Sequence, residues 1–315
     1  MAGGLGALLA TAGMASAQEA FTAGLPLGVT VDGNFSPMSS NVKVYGAVVN
    51  AESCVYDDAR ELIVVINRGV NQDQVPNDGF VSLLNHDGSV HTAAWIGATR
   101  NGLVLNHPLG SEVWNGRLYV ADRDGGTGPD DPSVSVIRWF DMRSGTPLGQ
   151  LRVDDSTGFN DLAIAQDGTI YASQTGGEDP RSWRIYWVEP GGRWEVLIEG
   201  APLSRPNGGG LDNDGNLVVV NVGTPDVLTF SPRGQLLRTE QAAQPGSDGL
   251  VIMPDGTKYV SSVRQGGVSR IRPGRPAELI ATGIPSAASM CLDAGANQLV
   301  IPMNPNHAVA IVPLP

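Results

Sequence analysis

The chain has 315 residues, a formal net charge of −12, 41 Gly and 22 Pro. So acidic a surface repels phosphate backbones and anionic headgroups, and no basic patch interleaved with aromatics offsets it, which excludes nucleic acid and membranes as partners. Short alternating apolar segments between frequent Gly and Pro exclude a helical fold and point to many short strands joined by tight turns.

In chain order, residues 1–17 come first. An apolar run ends in Ala15-Ser16-Ala17 before Gln18, the pattern of a secretory leader, and it is too short to span a bilayer. The positively charged start of such a leader is absent, so a misassigned start or a plain apolar tail is the alternative. Export to the periplasm or the medium is the favoured expectation, with the mature protein starting near Gln18 and forming one domain over 18–315.

Next, "NVKVYGAVV" (41–49) reads as a strand standing before any repeat. A phrase then recurs: an Asn or Asp, small residues, an Asp-Gly turn and a β-branched strand. It is plainest in "FNDLAIAQDGTIYASQ", "RPNGGGLDNDGNLVVVN" and "SDGLVIMPDGTKYVSSV". Placing the first residue of each phrase at a common zero position gives Glu52, Leu109, Asn160, Asn207, Asp248 and Ala288. Units roughly 40–55 residues apart, each with four strand signals, predict an all-β six-bladed propeller of four-stranded blades. In the fifth unit, strands are expected near 249–253, 257–263, 267–272 and 277–281. The last unit has room for three strands, so the 41–49 strand is expected to complete it and close the ring. Long insertions at 68–79 and 123–133 fall between second and third strands. "DNDG" at 212–215 is read as a hairpin turn, although it resembles part of a calcium loop.

The first strand of each propeller blade lines the central channel, so the zero positions converge there. Four carry oxygen donors: Glu52, Asn160, Asn207 and Asp248. Two carboxylates and two amide oxygens form a hard set suited to a divalent cation, Ca²⁺ first, with Mg²⁺, Mn²⁺ or Zn²⁺ as alternatives. Four protein ligands leave room for water or a small-molecule substrate, as a catalytic metal requires. Asp248 is the expected proton acceptor. Loops at the channel mouth offer Asp122, Arg123, Glu178, Asn304 and His307 for substrate, with Asn67, Arg68, Gln174 and Asn221 beside them. Cys54 and Cys291 could bridge in an oxidising compartment, but sequence alone favours two buried thiols acting as small hydrophobes.

The motifs "ESCVYD", "FNDLAIAQDG", "RPNGGGLDNDG" and "SDGLVIMPDG" resemble the gluconolactonase family, calcium-dependent six-bladed lactonases that include the senescence-marker and bacterial drug-responsive lactonases. The likeness runs over roughly 45–312. It implies that Glu52, Asn160, Asn207 and Asp248 are the metal ligands and that lactones or related esters are hydrolysed. Sugar-lactone members carry an Arg where this chain has Gly158, which turns the expectation toward a smaller or more apolar substrate. Glu178 falls where such members place a substrate-contacting Glu. A non-catalytic exported propeller that binds a small molecule or protein is the first alternative. A lyase or isomerase on the same ring is the second.

Overall fold

The computed structural model describes residues 27–70, 77–97 and 103–315. The expected leader over 1–17 lies outside them, as does the middle of the 68–79 insertion.

Six four-stranded antiparallel sheets stand around a common axis. In blade one, Ala51–Asp57 is innermost, followed outward by Leu62–Asn67, Phe80–Leu84 and Val90–Gly97. Blades two to five repeat the plan from innermost strands Ser111–Trp114, Leu162–Ile164, Pro206–Leu211 and Ser247–Ile252. The fifth continues with Lys258–Ser262, Val268–Ile271 and Glu278–Ala281, where the sequence placed them. Blade six has Cys291–Asp293, Gln298–Pro302 and Val309–Pro313, and its outermost strand is Lys43–Tyr45 from the N-terminal side. That pairing gives blade six its fourth strand and closes the ring.

The hairpins follow from local chemistry. Gly168, Gly215 and Gly256 take φ of +88°, +76° and +83°, the left-handed conformation that a tight turn requires and that glycine adopts without strain. The preceding acids lock two of these turns, with Asp167 and Asp255 each accepting the N–H two residues on at 2.9 Å. In the 212–216 turn Asp212 accepts from Asn216 N at 2.9 Å, so this segment is a hairpin turn.

Alternation along each strand sends apolar side chains into six seams, one between each pair of neighbouring blades. Val64 and Ile66 of blade one meet Leu118 and Val120 of blade two, all fully buried. Each such side chain contributes about 1.5–3 kcal/mol. The closing seam between blades six and one contains Cys54 and Cys291, and they are joined by a disulfide with a Cα–Cα distance of 5.4 Å. This corrects the reading of two free thiols. Ring closure makes the first and last inner strands neighbours, although 237 residues separate the two cysteines.

One element has no counterpart in the sequence reading. A hairpin of Gly28–Val31 with Asn34–Pro37 precedes the ring. It leads into the closing strand along blade five, where Ser39 N donates to Thr282 O at 3.0 Å.

Candidate metal centre and substrate cavity

The inner strands are irregular at the donor positions. Pairing slips between Ala51 and Ser53, between Pro206 and Gly209, and between Ser247 and Leu250. Glu52, Asn207 and Asp248 lie in these bulges, which leave the ladder and re-aim side chains. Serines tie neighbouring blades together beside these bulges. Ser173 Oγ donates to the Asn207 carbonyl at 2.6 Å, and Ser53 Oγ to the Leu109 carbonyl at 2.6 Å.

Glu52, Asn207 and Asp248 are 5%, 4% and 5% exposed, so the hub is nearly dry. Asn207 Nδ2 donates to Asp248 Oδ2 at 3.1 Å. Glu52 Oε2 accepts from Asn304 and lies 3.6 Å from Arg68 Nη1. Burial pushes the Glu52 carboxyl up against the lowering pull of Arg68. Asp248 is held well above the usual carboxylate range, first by burial and then by the charges of Glu52 and Asp161. Asn207 Oδ1 and Asp248 Oδ1 are both buried without a hydrogen-bond partner among the described residues. Two orphaned oxygens on side chains already bonded to each other fit a shared cation, because an unpaired buried oxygen costs about 1–3 kcal/mol. Among the described residues no three His, Cys, Asp or Glu side chains converge as a metal cluster, so a cation at the hub would need the amide oxygens as well.

Asn160 is half-buried just before the inner strand of blade three, and its carbonyl accepts from Gly110 N at 2.7 Å. It lines a cavity of about 310 Å³ with Leu109, Arg123, Gly158, Phe159 and Gln174. A second cavity, about 210 Å³, is lined by inner-strand residues including Cys54, Glu112, Asp161 and Cys291. Burial pushes Asp161 and Glu112 up to about 7 there.

The residues expected at the channel mouth separate into groups. Asn67, Asp122, Gln174 and Asn221 each accept, through a side-chain oxygen, the N–H three residues before their own blade's zero position: Val49, Asn106, Thr157 and Ser204. They brace the loops that carry the donors. Asp122 is only 2% exposed and also accepts from His107 N and, at 2.7 Å, from Arg138 Nε. Asn304 touches the centre through Glu52, and Arg68 Nη1 donates to its Oδ1 at 3.2 Å. Arg123 faces the first cavity. The Glu178 side chain is fully exposed, 3.9 Å from Arg205. His307 is exposed at φ +51° and its Nδ1 accepts from Asn50 N at 3.2 Å. The sequence reading passed over His107, buried between Arg68 and Arg123, and Arg138, the buried partner of Asp122. No local pattern marks either, since their partners lie on other strands or another blade.

The family described as SMP-30/Gluconolactonase/LRE-like region matches residues 50–302. Among curated proteins none matches the chain. Similar solved structures include a gluconolactonase of Xanthomonas campestris, at 20% identity over 88% of this chain and 91% of the other, with a TM-score of 0.61. A virginiamycin B lyase of Staphylococcus aureus is similar at 11% identity over 87% of this chain and 99% of the other, with a TM-score of 0.59. At these identities the two structures show a shared fold and nothing finer. With a family match that runs from blade one into blade six, the chain belongs to the SMP-30/gluconolactonase/LRE-like family.

Proposed function

We propose that the protein is a hydrolase that opens a lactone or related ester at the hub of the ring. Glu52, Asn160, Asn207 and Asp248 would hold a divalent cation, Ca²⁺ first, whose contribution is Lewis acidity toward the substrate carbonyl. The observation that carries this reading is the pair of buried oxygens, Asn207 Oδ1 and Asp248 Oδ1, that have no hydrogen-bond partner among the described residues.

In the reaction, water adds to the acyl carbon, the bond to the ring oxygen breaks, and that oxygen leaves as a hydroxyl. The Asp248 carboxylate accepts the proton of the attacking water and passes it to the departing ring oxygen, while Asn207 Nδ2 donates to its Oδ2. Asn304 and Arg68 hold Glu52 in place. Ser173 fixes the Asn207 backbone, so the amide needs no reorganisation when substrate arrives. The low exposure of the cluster excludes bulk water and strengthens each polar contact. The Cys54–Cys291 bridge supports an exported location, because such bonds persist in oxidising compartments.

Turnover on a panel of lactones and esters, with and without EDTA, tests the proposal. EDTA should abolish hydrolysis and added Ca²⁺ restore it, and Asp248→Asn should lower kcat by about 10²–10⁴-fold. Turnover indifferent to both chelation and the substitution would reject the proposal, leaving a binding protein or another reaction class on this ring.

A further inference from the structure

The hub holds a positive charge beside its two carboxylates. The Arg68 guanidinium lies 3.6 Å from Oε2 of the buried Glu52. Asn304 spans the same two groups, because its Nδ2 donates to Glu52 Oε2 and its Oδ1 accepts from Arg68 Nη1 at 3.2 Å. The backbone fixes the guanidinium there as well. Arg68 N donates to Asn50 O at 3.1 Å, and Asn67, the residue before it, accepts from Val49 N at 2.8 Å. Arg68 is thus tied to the segment that leads into Glu52.

A further contact of this guanidinium does not balance its charge. Nη2 lies 2.8 Å from His107 Nε2, and burial, followed by the charge of Arg68, pushes that imidazole down to about 3, so it is neutral. Among the described residues, Glu52 is the one carboxylate paired with Arg68. A guanidinium stays charged at any working pH. Ionised, as a cation requires, Glu52 and Asp248 bring two negative charges to the hub, and Arg68 offsets one of them. In a site this dry, charges act on one another with little screening. A divalent cation drawing on Glu52 must share that carboxylate with a positive side chain that cannot discharge.

We infer that Arg68 is an internal competitor for the cation: its guanidinium holds Glu52 and weakens the grip of the ligand set, so that the ion is held exchangeably. Removing that charge leaves Glu52 uncompensated in the metal-free protein and relieves repulsion in the loaded one. Both effects tighten cation binding. Arg68 acts through Glu52 and is a positioning residue. This role rests on the proposed ligand set, Glu52, Asn160, Asn207 and Asp248, and deepens it by naming what sets the affinity.

Calorimetric titration of Ca²⁺ into chelator-treated wild type, Arg68→Met and Arg68→Lys tests this. Arg68→Met should bind Ca²⁺ about ten- to hundredfold more tightly than the wild type, and Arg68→Lys, which keeps the charge, should stay close to the wild type. Metal-free Arg68→Met should also melt below the metal-free wild type and gain more in melting temperature from saturating Ca²⁺, as linkage requires of the tighter binder. Unchanged or weaker binding in Arg68→Met, or equal tightening in Arg68→Lys, would overturn the role of Arg68 while leaving the metal centre intact. No Ca²⁺ binding by either the wild type or Arg68→Met would reject both. An Arg68→Met protein that does not fold even in Ca²⁺ would make the guanidinium a structural requirement and overturn its role as competitor. Turnover on the lactone panel is read separately. Charge-dependent tightening without hydrolysis of any lactone would keep Arg68 as the competitor and reject the lactonase reading.

Discussion

Glu112 lines the second cavity, and its carboxyl rises to about 7 through burial first, with a smaller push from Asp161. Its bond from Val113 N, at 2.9 Å, opposes the shift and does not cancel it. The folded state therefore keeps this proton through a range in which the unfolded chain has released it. The associated stability is fully present below about 4.5 and is lost as pH rises to about 7. Glu112→Gln, melted in EDTA, should match the wild type near pH 4 and exceed it near pH 8 by an amount on the order of 1–3 kcal/mol. Parallel stability profiles across that range would show that the carboxyl is not perturbed. His107 carries the same physics with the opposite sign, as burial and two guanidinium groups keep it neutral.

At the scale of the element, the bulges place the donors and small residues make them possible. A Cβ on Gly208 would overlap the Asp248 carbonyl, and one on Gly249 would come within 2.5 Å of Met290 N. Each of these glycines directly follows a donor and lets the neighbouring blade's backbone pass close to the hub. Gly208→Ala should lower stability by about 1–3 kcal/mol in urea melts and reduce cation affinity, because it displaces the strand that carries Asp248. Gly209→Ala, where the nearest atom is Val218 O at 3.7 Å, should cost much less. Similar losses at both sites would mean that helpful close packing at Gly208 is not what sets its identity.

For the whole molecule, closure is the decisive event. Val309–Pro313 pairs with Lys43–Tyr45, the disulfide joins the inner strands of blades one and six, and His86 Nδ1 lies 2.8 Å from the buried Asp293. A bridge spanning 237 residues removes much loop-closure entropy from the unfolded chain. Reduction, or Cys54→Ser with Cys291→Ser, should lower unfolding free energy by about 2–5 kcal/mol, read from the urea midpoint. A midpoint unmoved by reductant would show that strand pairing alone closes the ring. Cys54 lies two residues from Glu52 on one inner strand, so cation affinity should weaken together with stability.

What the sequence by itself determined was local and repeated: Asp-Gly hairpins, alternating strands, six units, and four oxygen donors at one register position. Each of these follows from short-range backbone preference and a side-chain period of two, which act within a few residues. The structure adds what depends on distant segments meeting. The pairing of Cys54 with Cys291, the N-terminal hairpin along blade five, the bracing of loops by Asn67, Asp122, Gln174 and Asn221, and the Arg68–His107–Arg123 wall all arise between residues far apart in the chain. Such contacts are fixed by closure of the ring and by burial, and neither is written in local periodicity.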